Sequence, residues 1–76
     1  MWNIRVVKES TDEGDIYNIC EVYYDHIGNP IAYCKADASE GNVQDLQHYL
    51  AWMVESLTKP HYKTTDFKKK YANDTE

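Results

Sequence analysis

Thr11-Asp12-Glu13-Gly14-Asp15 and Asp25-His26-Ile27-Gly28-Asn29 each set turn-forming residues between two runs rich in β-branched and aromatic side chains, and their reading decides the fold. A three-residue hairpin loop ending on glycine closes a type I turn with a bulge, because glycine enters the left-handed backbone region at little steric cost. Read that way, Thr11 pairs with Asp15 and Asp25 with Asn29. Counting back from the turns sets Val6 opposite Cys20, Ile4 opposite Val22, Trp2 opposite Tyr24 and Cys20 opposite Cys34. Arg5 then meets Glu21 as an opposite-charge cross-strand pair, which supports the register.

Working outward, residues 2–9 alternate in the period of a strand, 16–24 form the central strand and 30–35 the third, with Pro30 suited to an edge because it donates nothing to the ladder. One sheet face is expected to carry Trp2, Ile4, Val6, Ile16, Cys20, Val22, Tyr24, Ala32 and Cys34 and to form the core. The other carries Tyr17, Ile19, Tyr23, Ile31, Tyr33 and Val7 around the Arg5–Glu21 pair. After a polar link, Asn42 is a plausible N-cap, and Val43, Leu46, Leu50, Met53 and Leu57 recur at three- and four-residue steps. This predicts one amphipathic helix of about four turns, whose apolar side Tyr49, Trp52 and Val54 widen beyond one stripe. It should stop near Lys59, because Pro60 disfavours helical geometry in the residue before it. The fold class is α+β, a three-stranded antiparallel meander followed by one helix (β-β-β-α), with residues 1–60 as one domain. Residues 61–76 form a lysine-containing tail, either mobile or a short helix capped by Thr65 that presents Phe67 and Tyr71.

With 76 residues the chain is near the lower limit for a self-sufficient core, so oligomerisation is expected to matter. Its net charge of −5 is uneven: ten acids oppose four bases in residues 1–59, whereas four lysines oppose three acids beyond them. An acidic body disfavours binding to a phosphate backbone. The start, Met1-Trp2-Asn3-Ile4-Arg5, lacks the pattern of a signal peptide, and no apolar run is long enough to span a bilayer. A soluble cytoplasmic protein of bacterial or viral type is expected, without a membrane partner.

No set of residues assembles into a catalytic pattern. Cys20 and Cys34, opposite each other in this register, are a conceivable redox pair, but buried reduced thiols are the simpler reading, and the sequence leaves open whether they join. His26, His48 and His61 lack ligand spacing, and Ser10, Ser39 and Ser56 lack the strained turn of a nucleophile. The loop carboxylates Asp12, Glu13, Asp15, Asp37 and Glu40 suit turns and caps. With only Gly14, Gly28 and Gly41 there is no phosphate loop. Lys68, Lys69 and Lys70 between Phe67 and Tyr71 give a thin nucleic-acid signal. No catalytic residue, metal site or cofactor is expected.

The opening Trp2-Asn3-Ile4-Arg5-Val6-Val7, the block Glu21-Val22-Tyr23-Tyr24-Asp25, the turn Gly28-Asn29-Pro30-Ile31 and the helix end Leu57-Thr58-Lys59-Pro60 together resemble a family of short uncharacterised bacterial, cyanobacterial or phage-borne proteins. Those proteins have a Trp-Asn-x-Arg-Val start and a Glu-Val-Tyr-Tyr-Asp hairpin. The resemblance covers residues 1–60, implies the same fold and carries no activity or site.

The expected function is therefore a small non-enzymatic protein–protein interaction module, a homodimer that uses the face of Tyr17, Ile19, Tyr23, Ile31 and Tyr33. Tyrosine suits such a surface, offering large contact area with few rotamers to freeze. The alternative is an acidic phage-type inhibitor that imitates nucleic acid to occupy the groove of a nuclease or polymerase.

Overall fold

The structure, a computed structural model, describes residues 1–67. Its elements are β1 (Trp2–Thr11), β2 (Gly14–Tyr24), β3 (Pro30–Lys35), α1 (Val43–Ser56) and β4 (Tyr62–Lys63), with a 3-10 turn at Thr64–Asp66. They form one mixed sheet in the order β3-β2-β1-β4, with β4 parallel to β1 and the other neighbours antiparallel. The expected three-stranded meander is corrected in two ways: the sheet has a fourth strand, and both hairpins are shifted by one residue.

The first shift comes from a shorter loop. Thr11 stands opposite Gly14, leaving only Asp12 and Glu13 between the strands, and Gly14 at φ 123° opens β2 instead of closing the loop. The Thr11 hydroxyl, accepting from the Glu13 amide at 3.2 Å and donating to the Gly14 carbonyl at 2.7 Å, closes this turn with local hydrogen bonds. Val6 therefore faces Ile19, Arg5 faces Cys20 and Trp2 faces Tyr23.

The second loop has the expected geometry at its tip. The Asp25 amide donates to the Asn29 carbonyl at 2.9 Å, Gly28 lies at φ 97°, and the Asp25 carboxylate accepts from the Ile27 and Asn29 amides. Those bonds, that from Asn29 foremost, hold the Asp25 pKa below its ordinary value. An irregularity at Tyr23/Tyr24 then shifts the ladder, so that Cys34 faces Glu21 and Lys35 faces Cys20.

Because side chains alternate along a strand, a one-residue shift moves half of each expected face to the other side. Trp2, Ile4, Val6, Ile19, Glu21, Tyr23 and Cys34 share the face beneath α1, whereas Asn3, Arg5, Val7, Cys20, Val22 and Tyr33 share the opposite one. The Arg5–Glu21 pair does not form, and Cys20 and Cys34 are free thiols on opposite faces.

The sheet is thus packed on both sides. Residues 61–67, expected as the head of a tail, are part of the fold: after Pro60, whose carbonyl accepts from Arg5 Nη1 at 3.3 Å, the chain runs beside β1. The Asp66 carboxylate accepts from the Lys63 amide at 2.8 Å and closes the 3-10 turn. Phe67 is thereby buried against Val7, Cys20 and Val22, with the rings of Tyr33 and Tyr62 centred 4.7 and 5.5 Å away. The expected partner Tyr71 and the lysines Lys68, Lys69 and Lys70 lie outside the described residues.

Candidate functional site

The N-cap of α1 is Asn42, whose side-chain oxygen accepts from the Asp45 amide at 2.8 Å. From there the helix lies across the other sheet face by a line that the leucine spacing does not reveal. Tyr49 and Ser56 are buried and Trp52 is half-buried. Trp52 stacks on Trp2 with ring centres 5.0 Å apart, and the Tyr49 ring meets Trp52 edge-on. Ser56 satisfies its hydroxyl by donating to the Met53 carbonyl at 2.6 Å, so a small residue closes the contact at no cost in unpaired polar groups.

Glu21 fastens this contact. Its carboxylate accepts from the Tyr23 hydroxyl at 2.6 Å and from the Tyr49 hydroxyl at 3.2 Å, linking sheet to helix, with the Cys34 sulfur 3.9 Å away. The bond to Glu21 is the first cause that raises the Tyr23 pKa, while burial leads for Tyr49. Both phenols stay protonated donors, and the cluster acts as a pin between layers.

With Tyr49, Trp52 and Ser56 turned inward, the other half of the apolar arc points outward. Val43, Leu50, Val54 and Leu57 are 70%, 44%, 64% and 53% exposed. Their spacing of seven, four and three residues places them on one line at 3.6 residues per turn. The apolar arc, from Trp52 round to Val54, exceeds half the circumference, and one contact with a sheet covers only part of it. The outer face of α1 is the candidate site, a docking surface.

Of the five residues expected to form an interface, Tyr17, Ile19 and Tyr23 lie on the α1 side of the sheet and Tyr33 on the other. Tyr17 is exposed at the end of the sheet with its ring 6.4 Å from that of His61. Ile19, Tyr23, Ile31 and Tyr33 are half-buried, Tyr23 by the Glu21 bond and Tyr33 against Phe67. The structure does not bring the five together. Sequence reasoning missed the outer face because all apolar helix positions were assigned to one contact, although their arc was already too wide for it.

Among the described residues no group of His, Cys, Asp and Glu could hold a metal ion, and no helix is long and apolar enough to cross a membrane. Comparison with family models, curated proteins and solved structures finds no match.

Proposed function

We propose that this protein is a small non-enzymatic interaction module of the cytoplasm that forms a homodimer by packing the outer face of α1 against the same face of a second copy, with the two helices antiparallel. The observation that carries the reading is the line of Val43, Leu50, Val54 and Leu57 left in water by a helix whose inner side is already engaged. Val43 and Leu57 stand seven residues to either side of Leu50, so a twofold axis at Leu50 pairs each Val43 with the partner's Leu57.

The acidic-mimic reading gains no support of this kind. Asp25 is engaged by its own turn, at the opposite end of β2 from Asp12, Glu13 and Asp15.

Light scattering after size exclusion tests the proposal. The wild-type chain should have twice the monomer mass at micromolar concentration, and Leu50→Asp and Val54→Asp should each reduce it to the monomer mass with an unchanged circular dichroism spectrum. A wild-type monomer, or a dimer indifferent to both changes, would refute it.

A further inference from the structure

On the side of the sheet away from α1, a cleft of about 210 Å³ is lined by Met1, Asn3, Arg5, Tyr24, Gly28 and Tyr62. Its walls hold an excess of hydrogen-bond donors. Tyr24 donates to the Asn3 side-chain oxygen at 2.8 Å, and this commits the Tyr62 hydroxyl, 3.1 Å from that of Tyr24, to donating in its turn. The relay Tyr62 to Tyr24 to Asn3 uses the amide oxygen of Asn3 and leaves its NH2 group, a double donor, without a partner among the described residues. Arg5 adds the charge. Of its five N–H donors, one meets the Pro60 carbonyl at 3.3 Å, while the buried Nε meets no acceptor. The guanidinium carbon lies over the Tyr62 ring, 5.7 Å from its centre. No carboxylate lines the cleft, and Arg5 forms no ion pair among the described residues.

We infer that this cleft binds a small oxyanion, a carboxylate or a phosphate, held by Arg5 and the Asn3 amide. A guanidinium fork matches both groups, and both present acceptor oxygens to the unpaired Arg5 and Asn3 donors. The volume is below the roughly 300 Å³ at which pockets begin to enclose drug-sized ligands, so the ligand is an ion or the anionic end of a small metabolite. The overall acidity of the chain works against anions at long range, which makes the affinity a product of these local contacts.

The test is a nuclear magnetic resonance titration of the 76-residue chain with sodium acetate and, separately, sodium phosphate, at an ionic strength fixed with chloride. The Arg5 Nε–H and Asn3 side-chain amide signals should shift and saturate with at least one of the two salts, and the salt that saturates names the chemistry. Arg5→Gln and Asn3→Asp should each weaken that binding at least about tenfold. Should one variant lose its dispersed spectrum, the other decides. Shifts that grow linearly with both salts in the wild type, or saturation that survives the substitutions in a folded variant, would overturn the inference.

Discussion

Cys20 and Cys34 show how much one residue of register decides. Cys20 is 1% exposed beneath Phe67, and burial, followed by the charge of Cys34, pushes its thiol up to about 11 from an ordinary 9.0. Tyr24, raised chiefly by burial and by its bond to Tyr62, titrates at about 12. In both groups the native fold favours the neutral form. The stability they contribute is therefore complete below the unfolded values of 9.0 and 10.0 and is lost as the pH rises through about 11 and 12. Urea unfolding at a series of alkaline pH values should show this decline beginning near pH 9, with a shallower slope for Cys20→Ala. Equal slopes in the two proteins would mean that Cys20 is not desolvated. The identity of these residues as buried or half-buried was legible in the sequence, since both lie on a strand dense in apolar types. Their faces were not legible, because a two-residue loop and a three-residue loop both fit Thr11-Asp12-Glu13-Gly14, and only the closing bonds of the Thr11 hydroxyl select the shorter.

At the scale of elements, the strands, the Asn42 cap and the helix were readable from local signals, whereas β4 was not. Tyr62 and Lys63 make a two-residue strand with no periodicity to detect, and their pairing to β1 joins residues 55 positions apart. A charged segment near a chain end reads locally as a solvated tail; only the buried Phe67, seated on Val7, Cys20 and Val22, makes it part of the core. Removing a buried phenylalanine side chain costs about 3–5 kcal/mol, a large share of the stability of so short a chain. Phe67→Ala should accordingly lower the urea midpoint strongly, and a chain ending at Pro60 should lose its cooperative transition. A truncated chain that still unfolds cooperatively at the wild-type midpoint would show that residues 61–67 are dispensable to the fold.

At the scale of the whole molecule, the sheet spends both faces internally, one on α1 and one on the segment that carries Tyr62 and Phe67. That internal use removes the tyrosine face from consideration as a single surface and leaves the helix with the largest unpartnered apolar line among the described residues. The width of the helical arc was legible in the positions of Tyr49, Trp52 and Val54; the choice of Tyr49, Trp52 and Ser56 as its inner side depended on the Trp2–Trp52 stack and the Tyr49–Glu21 bond, which only the folded chain assembles. The central claim is that two copies meet through the outer face of α1 with Leu50 on the twofold axis. The most direct measurement is oxidative cross-linking of Leu50→Cys in a Cys34→Ser background, compared with Val43→Cys in the same background, since a cysteine on the axis meets its own copy and one at the helix start does not. Rapid disulfide dimerisation at position 50, with little at position 43, is the predicted result; no cross-link at 50, or equal cross-linking at both positions, would contradict the account.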